Sequence, residues 1–522
     1  MRFLLCLVFC VAVVIAGRTQ PGIKLNTENS FPGYTLFSSF NGTNLIDNCG
    51  ELVNNWNTGA MNNHPKLLPN GHLLYMTHNT IYEVDWNNNI IVSTVETDLA
   101  LILEYEIIKL PNENYLCLGR RDFSLDEFRD IGYNLNLGFP SVVDVVVEVA
   151  RESGEIVWEW NIADHVIQER DPMLPNYGSV ANHPELLNVD AIATYDWQSY
   201  ESFMINGMDY NPTLDQIALS VRKISEVVII DHSTTTTEAA GSTGGNSGRG
   251  GDILYRWGNP QNYGRGTSAD RQLFFQHNPN WITEGPYAGH LIIYDNGLNR
   301  PDVAFNDRYS TVPIINPPVD AQGNYQLLPD SAYAPAVPTL RYSKVDGDAP
   351  FYSGYTSGAE WLPNGNIFIT EGVNGYLKEL NPEGELVWEY QVPTVGYVFR
   401  TERYPLDYPA FDNQELSPQG PVPNTGSDYE CMLTTSTQDF VATATLAVRA
   451  WAGQQRIYVH HETEHALAHV LYNAAGQPLQ RGISPPGDSE INVKNYPTGL
   501  YLLSFWSPDT GQMSTEKIVL HE

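Results

Sequence analysis

The sequence predicts an all-β protein in two parts: a β-propeller of about six blades over residues 30–412, and a small β-sandwich over residues 440–522. Three observations lead to this prediction. A glycine-to-aromatic phrase recurs along the first part, a Pro-Asn-Gly turn phrase accompanies it, and the strand pattern changes near residue 440. Repetition at intervals of about 40 or more residues is more typical of propellers than of sandwiches.

The recurring phrase begins with a turn glycine, continues as a β-rich run and ends on an aromatic ring. It reads GELVNNW, GEIVWEW, GDILYRW and GELVWEY at residues 50–56, 154–160, 251–257 and 384–390. Such a run predicts the last strand of a blade. We expect its tryptophans to pack between neighbouring blades.

The turn phrase supplies the connection between earlier strands. It reads LPNG at residues 68–71 and 362–365, with a weaker copy, LPNE, at residues 110–113. Proline fixes φ and glycine accepts positive φ, so the phrase favours a tight turn. A further strand between the two phrases, as at residues 81–84 and 375–380, completes a four-stranded blade.

Two segments interrupt the repeats. Residues 233–251 are rich in Thr, Ser and Gly and predict a flexible excursion between strands. Residues 413–439 contain many Pro, Gly, Asn and Ser residues and are interpreted as the linker between the two parts.

The amino terminus predicts export. Residues 1–16 combine a basic start, an apolar run and small residues, as in a secretory signal peptide, and no later segment is long enough to span a membrane. Removal of this segment leaves Cys49, Cys117 and Cys431. At most one disulfide forms among them, and the sequence does not say which pair it joins.

The charge balance excludes several partners. The chain has 61 acidic and 28 basic residues, a formal net charge of -33. A field of this sign repels nucleic acid and anionic lipid, so an anionic substrate needs a local cationic pocket. No nucleotide-binding loop, serine-hydrolase elbow or calcium loop occurs, and we expect no cofactor.

One segment imitates a zinc-peptidase motif. His461–His465 reads HETEH, which binds zinc only when a helix places both histidines on one face. Strand-like residues lie on both sides of this segment, so we expect a hairpin turn and no metal site.

The carboxyl-terminal part resembles the sorting domain of proteins exported by the type IX secretion system of Bacteroidetes. The matching residues are the turn at 473–476, the segment PTGLYLL at 497–503 and the closing KIV at 517–519. The resemblance implies the type IX machinery as a partner, and a secreted or cell-surface location reached through the periplasm and outer membrane.

The larger part resembles the arylsulfotransferase family over most of residues 60–412. The segments that carry the resemblance are 209–217, 228–232, 251–260, 276–277, 294–297 and 357–366. The resemblance implies transfer of a sulfuryl group between phenols without the nucleotide donor PAPS. It also implies a six-bladed fold, and an aryl sulfate and a phenol as partners.

The resemblance also implies the site residues, with two departures. His277 matches a family histidine, and Arg300 matches the arginine that binds sulfate. Met204 stands where a second histidine is expected, and Tyr355 stands where the sulfurylated histidine is expected. No histidine occurs from residue 291 to 459, so realignment does not restore the nucleophile.

Two interpretations follow from this difference. In the first, the protein is a sulfotransferase in which Tyr355 replaces the nucleophile or acts as a donor, with His277 and Arg300 beside it. In the second, the histidine chemistry is altered or lost, and the protein is a secreted, non-catalytic propeller that binds an anionic, phenolic or glycan ligand. His64 and His183 each precede a proline, and we interpret them as structural.

Overall fold

The computed structural model divides the chain into two compact units, residues 1–432 and 433–522. It describes residues 21–39, 42–58, 64–95, 101–134, 140–192, 201–345, 350–393, 398–423, 448–453, 456–461, 463, 465–473, 478–506 and 513–520. The expected signal peptide, the linker beyond residue 423 and Cys431 lie outside these residues. Among the described residues, no helix has both the length and the apolar character needed to cross a bilayer.

The first unit is built almost entirely from strands. In chain order they are β1 (Gly22–Asn26), β2 (Gly33–Ser39), β3 (Gly42–Ile46), β4 (Leu52–Trp56), β5 (Lys66–Leu67), β6 (Leu73–Met76), β7 (Thr80–Val84), β8 (Ile90–Val95), β9 (Leu101–Lys109), β10 (Tyr115–Asp122), β11 (Val142–Val149), β12 (Ile156–Asn161), β13 (Val166–Ile167), β14 (Leu187–Asn188), β15 (Ile205–Asn211), β16 (Gln216–Val221), β17 (Glu226–Asp231), β18 (Tyr255–Trp257), β19 (His277–Trp281), β20 (Leu291–Tyr294), β21 (Val312–Ile315), β22 (Leu340–Tyr342), β23 (Gly358–Trp361), β24 (Ile367–Glu371), β25 (Tyr376–Leu380), β26 (Leu386–Gln391) and β27 (Thr401–Pro405). Two short α-helices accompany them in the described residues, α1 (Leu125–Asp130) and α2 (Thr236–Ala239).

These strands form six antiparallel sheets of four or five strands. From one edge to the other the orders are β27-β2-β3-β4, β5-β6-β7-β8, β9-β10-β11-β12, β15-β16-β17-β18, β19-β20-β21-β22 and β23-β24-β25-β26-β1. A small parallel pair, β13 with β14, lies between the third and fourth sheets in the chain. The amino-terminal strands β1 and β2 pair with the late strands β26 and β27, so both ends of the unit share sheets.

The apolar core runs between successive sheets. Each buried cluster takes its residues from two consecutive sheets, and one further cluster joins the sixth sheet to the first. In that last cluster Phe37 and Ile46 of the first sheet pack with Phe368, Trp388 and Tyr390 of the sixth. Both faces of each sheet are therefore covered, and the packing order closes on itself.

The recurring phrases occupy equivalent places, as the sequence predicts. The four tryptophan or tyrosine phrases form β4, β12, β18 and β26, the fourth strand of their sheets. The three turn phrases join first and second strands, and their fourth residues, Gly71, Glu113 and Gly365, all have positive φ of 73° to 90°. Glu113 takes this conformation without the freedom of glycine.

The tryptophans of the phrases bind neighbouring sheets. The indole Nε1 of Trp56 donates to the carbonyl of Asp85 at 3.0 Å, and that of Trp388 donates to the carbonyl of Asn48 at 2.8 Å. The Nε1 atoms of Trp160 and Trp257 donate to carbonyls of residues 251 and 335, at 2.8 and 2.7 Å. Each buried indole thus satisfies a backbone group of the next sheet while filling the space between the sheets.

The excursion at residues 233–251 is folded, contrary to the flexible segment that its composition predicts. Helix α2 begins with a capping box between Thr235 and Glu238. The carboxylate of Asp231 accepts hydrogen bonds from the backbone N–H groups of Ser233 and Ser247, at 2.9 and 2.8 Å. This Ser- and Gly-rich loop is therefore held by hydrogen bonds to side-chain acceptors, in place of the backbone pairing that holds a strand.

The cysteines divide into two kinds. Cys49 is disulfide-bonded, and its partner lies outside the described residues. Cys117 is a buried residue of β10 and is not disulfide-bonded.

The second unit contains seven described strands in two antiparallel sheets. They are β28 (Val448–Gly453), β29 (Arg456–His461), β30 (Leu467–Asn473), β31 (Pro478–Ser484), β32 (Gly487–Asn492), β33 (Gly499–Trp506) and β34 (Met513–Leu520). The sheet orders are β28-β29-β32 and β31-β30-β33-β34. Residues of both sheets, including Ile457, Ile491, Leu467 and Phe505, share one apolar core, which is the arrangement of a sandwich.

The HETEH segment begins at His461, the last residue of β29. Nδ1 of His461 is 2.7 Å from Oγ1 of Thr463, and Nε2 is 3.1 Å from the carbonyl of Ser484. Both ring nitrogens of His461 are therefore engaged within the protein. Across the described part of the chain, no group of three potential ligands is placed to hold a metal ion.

We expect the Trp160→Phe substitution to destabilise the first unit by about 2–4 kcal/mol, because it leaves a buried carbonyl without its donor and opens a cavity. Denaturant unfolding monitored by circular dichroism measures this change. The control is Val157→Thr in the same strand, at a residue that is 51% exposed. It should change the free energy of unfolding by less than about 0.5 kcal/mol. Equal effects of the two substitutions would contradict a structural role for the indole.

Candidate functional site

The edge strands of several sheets meet through buried polar contacts. The guanidinium of Arg400, at the residue before β27, forms an ion pair with Glu106 of β9. Nη2 of Arg400 also donates to the carbonyl of Asn206 in β15 at 2.5 Å. Nδ2 of Asn206 in turn donates to the carbonyl of Gln276, next to β19, at 2.9 Å. These contacts bring the first strands of three sheets and the start of β27 to one place.

His277 is the first residue of β19 and lies within this region. It is 3% exposed, and its Nδ1 lies 2.6 Å from Oδ1 of Asn296. Nδ2 of Asn296 donates to the carbonyls of Ser353 and Thr356 at 2.7 and 3.0 Å. Asn296 therefore connects the imidazole to the loop that contains Tyr355.

These hydrogen bonds determine the tautomer of His277. The amide nitrogen of Asn296 faces two carbonyl oxygens, so it must be the donor, and Oδ1 must be the acceptor. Nδ1 of His277 then carries the proton, and Nε2 of the neutral ring carries the lone pair. Burial, together with the positive charges of Arg222 and then Arg400, lowers the pKa of His277 well below its usual range. The imidazole is thus neutral near pH 7, with the lone pair on Nε2.

Of the two arginines, Arg222 has the larger electrostatic effect on the pKa of His277. It begins the 3₁₀ turn that follows β16 and is 2% exposed. Its guanidinium carbon lies 5.0 Å from the ring centroid of Phe275, and its Nη1 lies 3.6 Å from Sδ of Met204. The methionine that replaces an expected histidine therefore lies against a buried arginine, to which a thioether offers only a weak acceptor.

Arg300 is engaged with a neighbouring carboxylate. Its Nη2 donates to Oδ2 of Asp295 at 2.7 Å. Its guanidinium carbon lies 4.4 and 4.6 Å from the ring centroids of Phe274 and Tyr309. The other oxygen of Asp295 accepts the backbone N–H of Phe274 at 2.6 Å. Asp295 therefore fixes the orientation of Arg300 and offsets its charge.

Tyr355 lies on the loop held by Asn296, and its side chain is 41% exposed. Its carbonyl accepts hydrogen bonds from Oγ of Ser353 at 3.1 Å and Oγ1 of Thr356 at 2.6 Å. Thr356 and Ser357 have φ of 54° and 85°, a left-handed conformation that costs residues with a Cβ atom about 1–3 kcal/mol each. The backbone beside Tyr355 is therefore held in a strained turn while its phenol ring is open to solvent.

The two histidines interpreted as structural have different surroundings. His183 is an exposed residue whose Nδ1 lies 2.9 Å from Oε1 of Glu185, as a structural role predicts. His64 is buried and forms ion pairs with Glu106 and Glu402, the second at 3.1 Å. The carboxylates outweigh the effect of burial and raise the pKa of His64, which keeps it charged. His64 thus belongs to the cluster of charged residues around Glu106.

The sequence did not single out Arg222, Arg400, Glu106 or Asn296. A signal exists for Glu106, which interrupts the apolar run of β9 and is only 1% exposed. A charge inside a buried strand requires a partner, so it indicates a polar site. The partner, Arg400, is far away in the chain, and no local pattern connects the two.

The family model Arylsulfotransferase (ASST) matches residues 23–403. The match covers most of the chain, and the protein belongs to the arylsulfotransferase family. No curated protein matches the chain.

Solved structures resemble the chain only distantly. A protein of unknown function from Bacteroides caccae is 11% identical, with 71% of this chain and 98% of that chain covered and a TM-score of 0.38. A streptogramin B lyase structure is 11% identical, with 69% and 74% covered and a TM-score of 0.29. These likenesses are too weak to support an argument about fold or activity.

We expect nitrogen-15 NMR of histidine-labelled protein to show His277 as a neutral ring protonated at Nδ1 at about pH 6, where an ordinary histidine is mostly charged. The His277→Gln variant identifies the signal by its loss. A ring protonated at Nε2, or a charged ring at about pH 6, would contradict the hydrogen-bond assignment.

Proposed function

We propose that this protein transfers a sulfuryl group from an aryl sulfate to a phenolic acceptor, without PAPS, at the region around His277. The observation that carries the proposal is the neutral, buried imidazole whose Nε2 is the basic nitrogen. Arg222 and Arg400 provide positive charge beside it in a protein of strongly negative net charge. Such charge stabilises the sulfuryl oxygens as the bond to sulfur breaks.

Tyr355 is proposed as the residue that receives the group. Its hydroxyl oxygen attacks sulfur, the bond from sulfur to the aryl oxygen breaks, and the donor leaves as a phenolate. The proton of Tyr355 passes to Nε2 of His277, which then returns it to the departing phenolate. The product on Tyr355 is itself an aryl sulfate, so no additional energy source is needed.

The second half of the reaction repeats these steps. The acceptor phenol attacks the sulfur of sulfated Tyr355, its proton passes to His277, and the bond from sulfur to the Tyr355 oxygen breaks. The Tyr355 phenolate then takes the proton back from His277. The exposed ring of Tyr355 is consistent with access by two successive substrates.

Arg300 is proposed to bind the sulfate group with the part of its guanidinium that does not face Asp295. Its Nη2 is committed to Asp295, and its Nε is buried without a hydrogen-bond partner in the described residues. An arginine held in this way keeps donors in a fixed plane, which suits a tetrahedral oxyanion.

The larger architecture and the location are proposed on the same footing. The closed order of sheet packing supports a six-bladed propeller with the edge strands at its axis. The sandwich of the second unit supports a type IX sorting domain, with the mature protein secreted or held at the cell surface.

The alternative function is that of a non-catalytic propeller that binds anionic, phenolic or glycan ligands. The tyrosine at position 355 favours this alternative.

We expect the wild-type protein to release 4-nitrophenol from 4-nitrophenyl sulfate in the presence of phenol. The Tyr355→Phe and His277→Gln variants should each lose about 100-fold or more in rate, because one loses the nucleophile and the other the base. Tyr352→Phe, a matched change on the same loop, should keep most of the activity.

Peptide mass spectrometry after incubation with donor alone should locate a sulfo group on Tyr355. Transfer that survives in Tyr355→Phe would overturn the tyrosine nucleophile. No transfer by the wild type, combined with saturable binding of the aryl sulfate, would support the non-catalytic alternative.

We expect Arg300→Lys to raise KM for the aryl sulfate about tenfold or more, with a smaller effect on thermal stability than Arg300→Gln. Lysine retains a cation for the buried carboxylate of Asp295, whereas glutamine leaves that charge unpaired. Steady-state kinetics and thermal unfolding of both variants measure the two effects separately. An unchanged KM in Arg300→Lys would place Arg300 outside the binding site.

A further inference from the structure

A cavity of about 260 Å³ opens among the edge strands, on residues that the proposed sulfuryl transfer does not use. Two indoles, Trp281 of β19 and Trp361 of β23, line it. The strands β19 and β23 meet beside it, where Nδ2 of Asn280 donates to the carbonyl of Ala359 at 3.0 Å. Its polar lining includes His64, Lys66, Asp209, Glu284, Glu360 and Glu402.

The cations near the cavity are already paired. Nζ of Lys66 lies 3.6 Å from Oε1 of Glu106 and 3.4 Å from Oε1 of Glu402. His64 pairs with the same two carboxylates, and Arg400 pairs with Glu106. These contacts keep the pKa of Glu106 low, at about 2, and that of Glu402 lower than usual. Both carboxylates are therefore ionised and occupied.

Two further carboxyl groups face the cavity without a cation of their own. Asp209 accepts the backbone N–H groups of Tyr210 and Trp281, at 2.9 and 2.7 Å. Glu360 accepts the backbone N–H of Arg403 at 2.7 Å. The side chain of Arg403 pairs with Glu379, in a separate contact.

The charges in this region do not balance. Apart from the exposed Glu284, three cations, His64, Lys66 and Arg400, face four carboxyl groups when Asp209 and Glu360 are counted with the two paired ones. Burial raises the pKa of Asp209 to about 6, although Lys66 opposes the shift. Burial and the charge of Glu402 raise that of Glu360 well above its usual range. Both shifts favour the protonated forms, as expected where a compensating cation is missing.

Both ring nitrogens of His64 already face carboxylates, so this charged imidazole is not a partner for a further cation. The cavity, the excess carboxyl group and the two indoles together suit a cation with an apolar body.

We propose that this cavity binds a small organic ammonium ion, whose charge lies at Asp209 and Glu360 and whose apolar part packs against Trp281 and Trp361. The ion replaces the proton that the two carboxyl groups otherwise hold, so binding releases a proton. The proposal does not depend on sulfuryl transfer, because the ligand needs no phenol and no sulfate.

Isothermal titration of the full chain with 2-phenylethylamine tests the proposal, with 2-phenylethanol as the neutral isostere. We expect saturable binding of the amine and at least tenfold weaker binding of the alcohol. Affinity for the amine should fall about tenfold from about pH 7.5 to about pH 5, because protonation near pH 6 removes the carboxylate. Buffers of different ionisation enthalpy should report the released proton.

Substitutions distinguish electrostatic binding from general damage to the fold. Asp209→Asn and Glu360→Gln should each weaken amine binding at least tenfold, and Asp209→Asn should also remove most of the pH dependence. Lys66→Met should strengthen binding, because it removes a competing cation. The exposed Glu383→Gln is the control and should change nothing.

Equal affinity for the amine and the alcohol, or amine binding that is unaffected by pH and by Asp209→Asn, would overturn the proposal. Weaker binding in Lys66→Met would also contradict it. None of these results depends on whether the protein transfers sulfate, so failure here leaves the proposed reaction to be judged by its own assay.

Discussion

The carboxylate of Glu106 connects the parts of the first unit that lie far apart in the chain. It forms ion pairs with His64, Lys66 and Arg400, which precede or begin strands of the second and first sheets, while Glu106 itself lies in the third. A buried charge without a partner lowers the stability of the folded state by several kcal/mol. The folded state therefore requires that these four groups pair with one another. The network therefore helps to define how the edge strands approach one another.

The indole groups of the recurring phrases also connect neighbouring sheets. Each phrase tryptophan fills the space between two sheets and donates to a backbone carbonyl of the next. Apolar packing alone tolerates small shifts between sheets, whereas a hydrogen bond to one carbonyl selects a single position. These contacts thus set the spacing of neighbouring sheets.

The hydrogen bonds of Asn296 to the Tyr355 loop go to backbone carbonyls. Family membership rests on residues 23–403, a range that includes nearly all of the six sheets of the first unit. Asn296 holds the imidazole and the Tyr355 loop together with three hydrogen bonds, whatever residue occupies position 355. The scaffold can therefore support different chemistry at that position without repacking its core.

Much of the local structure was predictable from the sequence because its causes are local. Turn glycines, proline-fixed turns and β-rich runs identified the strands in the recurring phrases, and the strand-like flanks of His461 excluded a zinc-binding helix. The folded loop at 233–251 was missed because its order comes from Asp231 and a helix cap, not from strand composition. Even so, the alternation of turns and strands is enough to predict an all-β chain.

The sequence by itself thus determined the β class and the places of the recurring strands, since each depends on neighbouring residues or on a recognisable motif, and it predicted His277 as a site residue. Only the tertiary structure decided that Arg300 is held by Asp295, that Arg222 and Arg400 lie near His277, and that His64 joins a charged cavity. Except for the Arg300–Asp295 pair, whose members are five positions apart in the chain, these facts depend on which charges meet across sheets. Burial and Coulomb interactions act through space, between residues that can be hundreds of positions apart in the chain.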